Sequence, residues 1–254
     1  MLSNLFAFRR EAVYRQRFFE NAKENLFMGS FTSFEEALAE APSTMPLGYD
    51  HAAAVDLYKP QIYPYDYPAL FWITRSIDQG MRNIFDLGGH IGLKYHAFKR
   101  VLDWPEELRW KVCDVPSIAA AGRELAVQRK VDDQLSFCTD FREAAAAEVL
   151  YASGSLQYLP MQIGEILGSL SAKPKRIVLN AAAVHPRRTI FTLNSIGVAI
   201  CPYRIQHDDD LNHQTSEAGY RRVDSWRNEG KPIEVPFVEG GDEAYYMGSC
   251  WDLR

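Results

Sequence analysis

Apolar residues recur along this chain with two different periods. From residue 69 onward, short apolar runs of strand length alternate with segments whose apolar residues return every three to four positions. This alternation is typical of βαβ units wound around a parallel sheet. The predicted strands are 83–87, 108–115, 135–138, 148–152 and 176–180, and the predicted helices are 69–79, 91–102, 117–129 and 161–170.

The end of the chain follows another pattern. Residues 220–226 and 243–251 alternate apolar and polar positions, and no strong helical segment separates them. We expect an antiparallel strand pair on the sheet edge. The fold class predicted is therefore α/β and Rossmann-like, with a mostly parallel seven-stranded sheet.

The first 79 residues predict a helical and irregular cap. One helical stripe fits residues 2–26, with arginines mostly off it, and it suits packing on the core, a partner subunit or a membrane surface. Ser33 and Glu36 form a capping-box pattern that begins a second helix, which Pro42 ends. Residues 42–68 are rich in Pro, Tyr and Gly and predict irregular structure. The expected division is a cap at 1–79 and an α/β domain at 80–254. The stripe consists of Leu2, Leu5, Phe6, Ala12, Val13, Phe19 and Leu26.

Charge and composition narrow the class of protein. A formal net charge of -5 over 254 residues argues against binding to duplex nucleic acid. No segment has the ~20 apolar residues of a membrane span. The first arginines follow the apolar patch, an order that does not suit a secretory signal. Four cysteines without a CxxC pair predict reduced, buried thiols and a cytoplasmic protein. The oligomeric state does not follow from these patterns.

A glycine-rich turn follows the first predicted strand of the sheet. Asp86 ends this strand, and Gly88, Gly89 and Gly92 lead into the next helix. Glycines let the backbone turn tightly and approach a ligand, and a helix N-terminus offers amide donors. A carboxylate here suits a cofactor that carries an ammonium group and a sulfonium.

Two rival phosphate-binding patterns are absent from this turn. The dinucleotide fingerprint G-x-G-x-x-G fits in neither frame, because His90 and Leu93, or Ile91 and Lys94, stand where glycines are needed. No Gly-Lys-Ser or Gly-Lys-Thr marks a P-loop. A nicotinamide-dependent enzyme is therefore disfavoured.

Acidic residues also follow the second and third predicted strands. Asp114, with Val115 beside it, is placed to accept hydrogen bonds from two ribose hydroxyls. Asp140 suits the exocyclic amine of an adenine, with Phe141 against the ring. Because the carboxyl ends of parallel strands meet at one edge, we expect these acids to line a common cleft.

These residues resemble the class I S-adenosylmethionine-dependent methyltransferases over about residues 80–180. Residues 86–92 are similar to the first family motif, which contacts the methionine part, while Asp114 matches the ribose acid and Asp140–Phe141 the adenine motif. The resemblance implies that Ser153, Gly154 and Ser155 pass under the methionine. Three segments, 86–95, 152–159 and 192–204, are also similar to a family of methyltransferases often encoded beside surface-polysaccharide biosynthesis genes.

The expected reaction is methyl transfer to a small-molecule or glycan-linked hydroxyl, and the alternative is a cofactor-binding accessory protein without catalysis. A hydroxyl acceptor needs a base, and His185, just beyond the fifth strand, is the first candidate. Tyr158 and Gln157 are placed to orient the acceptor. No metal is expected, because the metal-dependent relatives carry acids where Ser153 and Asn180 stand, and because the charge run 207–210 reads as a solvated loop.

Overall fold

The computed structural model describes residues 2–43 and 45–254. The side chains of residues 2–7 lie outside the description, and among them are Leu2, Leu5 and Phe6 of the predicted stripe. The helices are α1 Leu2–Phe19, α2 Phe34–Ala39, α3 Ala52–Val55, α4 Tyr67–Asp78, α5 Leu93–Phe98, α6 Pro116–Gln128, α7 Ile163–Gly168 and α8 Asp208–Glu217. The strands are β1 Leu26–Phe31, β2 Asn83–Leu87, β3 Arg109–Cys113, β4 Leu135–Cys138, β5 Val149–Ser153, β6 Arg176–His185, β7 Ile190–Ser195, β8 Ile200–His207, β9 Tyr220–Arg227 and β10 Tyr245–Leu253. No described helix combines the length and the apolar character that crossing a bilayer requires.

The predicted parallel sheet is confirmed. Its strands lie in the order β4-β3-β2-β5-β6, and all four neighbouring pairs are parallel. Both faces of the central strands are buried, because helices cover each side. The strand order reverses between β2 and β5. In open α/β sheets this reversal leaves a crevice at the carboxyl ends of the strands, where ligands bind.

The predicted antiparallel pair at the end of the chain is also confirmed. β10 runs antiparallel to β6 from Tyr245 opposite Val184 to Asp252 opposite Arg176, and β9 pairs with its other side. β10 is thus an inner strand and β9 the edge strand. Two hydrogen bonds of 2.6 and 3.0 Å join the Arg176 guanidinium to the Asp252 carboxylate and fix the start of β6 to the end of β10.

A second, antiparallel group of strands was not predicted. β1, β7 and β8 pair in the order β1-β7-β8, and β8 meets the last two residues of β6. The prediction of one helical stripe over 2–26 is therefore wrong at its end, since α1 stops at Phe19 and Leu26 begins β1. Periodicity misses β7 because it buries Thr192, Asn194 and Ser195 together with its apolar residues.

Residues 46–58, which we call the strap, cross the carboxyl edge of the parallel sheet. At one end, the Ile200 carbonyl of β8 accepts a hydrogen bond from Gly48 N–H at 3.0 Å. Farther along, the Asp50 carboxylate accepts the N–H of Ser117, in the first turn of α6, at 2.9 Å. The strap therefore joins the antiparallel strands to the helix that follows β3.

Candidate functional site

The turn after β2 has left-handed backbone at alternate residues. Gly88, His90 and Gly92 have φ of 72°, 57° and 80°. Such angles favour glycine, which explains why residues 88 and 92 are glycines. Gly89 is needed for another reason, because a Cβ there would lie 2.3 Å from the Asp86 carboxylate. At Gly88 and Gly89 the absence of a Cβ thus lets the turn pack closely against Ser155 and the Asp86 carboxylate.

His90 is the one residue of this turn with a side chain at a position of positive φ. Its backbone N–H donates to Asp114 Oδ2 at 2.8 Å, and its ring Nε2 lies 2.9 Å from the Ala54 carbonyl of the strap. Because a carbonyl only accepts, Nε2 carries the hydrogen. Nδ1 is buried with no partner among the described residues. Burial lowers the pKa of His90, so the ring is neutral. These two bonds offset the unfavourable backbone angle.

Asp86 is a nearly fully buried carboxylate beneath this turn. It accepts a hydrogen bond from Trp110 Nε1 at 3.1 Å. Burial raises the pKa of the Asp86 carboxyl to about 7; the charge of Asp114 also raises it, and Lys94 lowers it. A cation bound at the turn would therefore be stabilised by this group and would favour its ionised form.

Asp114 ties the ends of neighbouring strands together. Its Oδ1 accepts Val115 N–H at 2.8 Å, while Oδ2 takes the His90 amide. Burial raises the pKa of this carboxyl. Each oxygen keeps a second lone pair, so the carboxylate can still accept from hydroxyl groups. Val115 precedes α6 as its N-cap residue.

Asp140 and Phe141 lie one strand farther along the same edge. The Asp140 carboxylate accepts Arg142 N–H at 3.0 Å and pairs with the Arg142 guanidinium at 2.9 Å. Phe141 is partly buried against the core. Their predicted contact with an adenine stays a prediction, and it requires the carboxylate to share its acceptor sites with Arg142.

The loop after β5 passes directly over the glycine turn. Gly154, with φ of 71°, donates its N–H to the Asn180 carbonyl at 2.8 Å. The Ser155 hydroxyl donates to the Leu87 carbonyl, and a Cβ at Gly88 would lie 2.3 Å from the Ser155 Cβ. The structure thus brings Ser155 against the turn, and the contact of Ser153, Gly154 and Ser155 with a methionine moiety stays a prediction.

Gln157 and Tyr158 continue this loop toward the antiparallel strands. The Gln157 side-chain amide donates to the Ala181 carbonyl at 3.2 Å, and its Oε1 is buried without a partner among the described residues. The Tyr158 hydroxyl donates to Asn194 Oδ1 at 2.9 Å. Burial raises the pKa of Tyr158 well above its ordinary value, so its hydroxyl stays protonated. Tyr158 therefore suits positioning and not proton abstraction.

The prediction that His185 lies in an open loop is wrong. His185 ends β6 and is fully buried. Its Nε2 lies 3.0 Å from the Gly240 carbonyl, and its Nδ1 accepts the amides of Arg187 and Arg188 at 3.1 and 3.3 Å. Strand β6 is longer than predicted, which moves this histidine into the core. With both nitrogens occupied, the ring has no free position for an acceptor proton.

A polar network that sequence reasoning missed lies at the carboxyl end of β5 and beside it in the middle of β6. Asp66, with no exposed surface, accepts Asn180 Nδ2 at 2.9 Å and Tyr63 N–H at 2.8 Å, and pairs with Lys94. Asn180 Oδ1 accepts Asn228 Nδ2 at 2.8 Å. Only the place of Asn180 at a strand end signals this role in the sequence. Asp66 stands in an irregular segment without any pattern.

The charge run after β8 gathers at the start of α8. Ligand-type atoms of His207, Asp208 and Asp209 lie within 4.8 Å of one another. The Asp208 carboxylate accepts the Tyr245 hydroxyl at 2.7 Å. The residues are partly or fully exposed, and the expectation that no metal binds stays a prediction.

Solved structures with similar architecture are known, although the sequence itself has no match. No protein-family model matches the chain, and no curated protein matches it. The geranyl diphosphate C-methyltransferase of Streptomyces coelicolor A3(2), in complex with Mg²⁺, geranyl diphosphate and S-adenosyl-L-homocysteine, has a TM-score of 0.52 and 12% identity, covering 81% of this chain and 94% of its own.

Two further structures give the same result. The N-terminal domain of EvdMO1 with S-adenosylhomocysteine bound has a TM-score of 0.51 and 11% identity, with 76% of this chain and 83% of that chain covered. The glycopeptide N-methyltransferase MtfA with S-adenosylhomocysteine has a TM-score of 0.50 and 13% identity, with coverages of 76% and 92%. At this identity the likeness shows the fold, which is the Rossmann-like class I methyltransferase fold.

Proposed function

We propose that this chain, which has the class I methyltransferase fold, is an S-adenosylmethionine-dependent methyltransferase. One observation carries the proposal. At the strand-order reversal, a backbone turn without Cβ atoms at Gly88 and Gly89 lies between the buried carboxyl of Asp86 and that of Asp114. Close backbone approach and two acidic groups are what a cationic amino acid joined to a ribose requires.

The residues at the turn fit this cofactor group by group. Asp86 faces the ammonium and sulfonium charges, Gly92 completes the turn, and Asp114 with Val115 binds the ribose. Asp140 and Phe141 hold the adenine, and the loop Ser153–Ser155 lies along the methionine part. When bound, the cofactor supplies an electrophilic methyl group on sulfur. The chain contributes orientation and fixed charges, which can provide most of the acceleration of such a transfer.

The acceptor we propose is a small molecule or a glycan-linked hydroxyl, methylated on oxygen by an enzyme of the cytoplasm. The resemblance to methyltransferases encoded beside surface-polysaccharide genes supports the glycan. Gln157 and Tyr158 are the proposed substrate-binding residues, because they continue the loop that passes the turn. His185 is no longer our base, since both of its nitrogens are occupied.

Because both ring nitrogens of His185 are hydrogen-bonded, no base is identified, and this favours a second candidate function. The candidate is a cofactor-binding accessory protein that transfers no methyl group. Tyr158 is likewise held by Asn194 and stays protonated. Incubation of the protein with a cell extract and methyl-labelled S-adenosylmethionine separates the two. Protein-dependent labelling of any extract component supports the enzyme, and cofactor binding without labelling supports the accessory protein.

Gly88→Val tests cofactor binding directly. A branched side chain at φ of 72° strains the backbone and overlaps Ser155, so S-adenosylhomocysteine binding should be lost in calorimetry. Gly168→Ala is the matched control, because a Cβ there meets nothing within 4 Å. Equal affinity in a folded Gly88→Val variant would remove the proposal.

Asp114→Ala tests the identity of the cofactor. Loss of a charge-assisted hydrogen bond to a ribose hydroxyl should weaken S-adenosylhomocysteine by about 1.5–3 kcal/mol. NADH should not bind the parent protein measurably. Tight NADH binding without S-adenosylhomocysteine binding would support a dehydrogenase instead.

A further inference from the structure

Lys231 presents an ammonium group to aromatic rings. Its Nζ lies 4.6 Å from the centroid of the Tyr246 ring and 5.6 Å from that of Tyr65. The side chain is partly buried, and among the described residues no carboxylate forms a salt bridge with it. Ring faces attract a cation but do not neutralise its charge.

The neighbouring charges leave Lys231 without compensation. Lys94 is paired with Asp66, and the Asp66 oxygens also accept from Asn180 and the Tyr63 amide. Burial and the like charge of Lys94 lower the pKa of Lys231. The charge of Asp66 acts in the opposite direction and raises this pKa, but its effect is smaller. Withdrawing an unpaired ammonium from water is unfavourable, and an anion beside it would offset this cost.

The loop that carries Lys231 is fixed to β6 and to the segment before α4. Asn228 donates to the Tyr65 carbonyl at 3.0 Å and accepts the Ala181 N–H at 3.1 Å. Asn180, which also binds Asn228, lies 3.3 Å from the Ser153 hydroxyl. The loop of Lys231 is therefore held beside the carboxyl end of β5 and the middle of β6, whereas Asp114 follows β3 on the far side of β2.

Aromatic side chains extend from Lys231 along the loop after β5. The Tyr246 hydroxyl lies 2.8 Å from that of Tyr203, and the Tyr203 and Tyr158 ring centroids are 4.9 Å apart. Tyr49 packs edge-on against Tyr158 at 5.3 Å. The rings of Tyr203 and Tyr246 are buried in the core, so this row fixes the surroundings of the ammonium. Tyr65, which is half-buried, is the ring beside Lys231 that an apolar or planar part of a ligand can reach.

We propose that Lys231 binds an anionic group, a carboxylate or a phosphate, of the methyl acceptor. The proposal rests on the methyltransferase function and names the class of its acceptor. Tyr65 and Tyr246 flank the ammonium, and Tyr65 also contacts the adjoining part of the acceptor. The ammonium is a compact charge with three donors, which suits either anion.

Ligand-observed NMR with three small probes tests this assignment. The probes are 4-hydroxybenzoate, phenyl phosphate and neutral phenol, each titrated in the presence of saturating S-adenosylhomocysteine. At least one anion should bind the parent protein about tenfold more tightly than phenol, which corresponds to one charge-assisted contact of about 1.4 kcal/mol. The anion that binds more tightly shows whether the protein recognises a carboxylate or a phosphate. Failure of both to bind, or equal binding of phenol, overturns the proposal.

Three variants assign the effect to the lysine charge. Lys231→Met should remove the preference for the anion, Lys231→Arg should keep it, and Lys175→Met, at the opposite edge of the sheet, should change nothing. If Lys231→Met binds the anions like the parent protein, the assignment is wrong.

Calorimetry on the same variants separates this proposal from the cofactor assignment. S-adenosylhomocysteine affinity should be unchanged in Lys231→Met. If it falls while 5′-methylthioadenosine affinity does not, Lys231 holds the cofactor carboxylate, and the acceptor assignment fails although the methyltransferase function stands. If the parent protein binds no S-adenosylhomocysteine, the methyltransferase function itself fails.

Discussion

The protonation of the buried Asp86 carboxyl depends on the charge of the ligand that occupies the turn. Its pKa is about 7 in the folded chain and 3.8 for an ordinary carboxyl. Between these values the folded state binds more protons than the unfolded state, so this group's contribution to stability falls as pH rises from about 4 to 7 and is constant above. A bound cation lowers the pKa of Asp86, because it stabilises the ionised carboxylate.

Cofactor affinity should therefore depend on pH in this range. S-adenosylhomocysteine, which carries an ammonium, should bind more tightly as pH rises toward 7, by up to about tenfold per pH unit for one linked proton. 5′-Methylthioadenosine lacks the ammonium but keeps the ribose, so it controls for the titration of Asp114, our proposed ribose ligand. Calorimetry at several pH values measures both. A rise that persists in Asp86→Asn would show that another group is responsible.

His185 supports the fold instead of the chemistry. His185→Ala leaves the Gly240 carbonyl and two amides without partners, so the free energy of unfolding should fall by about 3 kcal/mol. Urea unfolding measures this, and His213→Ala, whose side chain is largely exposed on α8, should be near neutral. Loss of turnover at unchanged stability would restore His185 as a base.

Among the elements, the strap lies across the glycine turn after β2. It holds the ring of His90 through Ala54 and the start of α6 through Asp50. Because both contacts lie at the turn and next to Asp114, a ligand that enters along this edge must pass under or displace the strap.

Asp50→Ala should loosen the strap without altering the turn itself. We expect faster association and faster dissociation of S-adenosylhomocysteine in stopped-flow measurements, with a smaller change in affinity. Asp56→Ala removes an exposed carboxylate from the same segment and is the control. Unchanged rates in Asp50→Ala would mean that the cofactor enters by another route.

For the whole molecule, β10 is the strand that completes the sheet. It buries Trp251 and Cys250, covers the free edge of β6, and joins the start of β6 through Asp252. Its removal would expose apolar surface and an unpaired strand edge at once.

A chain ending at residue 244 should therefore fail to fold. We expect loss of cooperative thermal unfolding and recovery in the insoluble fraction, whereas deletion of Arg254 alone should change the melting temperature little. A cooperative melt for the shorter chain would show that β6 tolerates an open edge.

The sequence by itself determined the parallel sheet, the closing strand pair and the cofactor turn. These features are local: a buried strand, a glycine turn and the next helix are contiguous in the chain, and their apolar runs and left-handed positions are visible in one dimension. For the same reason the sequence predicts that Asp86, Gly88 and Gly92 share one turn, and the rule that strand ends share an edge predicts that Asp114 lies beside it, where the structure has it.

Only the tertiary structure decided the acceptor side of the site. Asp66, Asn180 and Asn228 are far apart in sequence, and no period links them, so their hydrogen bonds exist only once β6 and the preceding and following loops meet. The strand β7 pairs with β1 across more than 160 residues and buries polar groups, which hides its apolar pattern. His185 moved from loop to core because β10 and β8 pair with β6 beyond Asn180 and so extend this strand. Burial and long-range pairing decided these roles, and neither is encoded by residue type at one position.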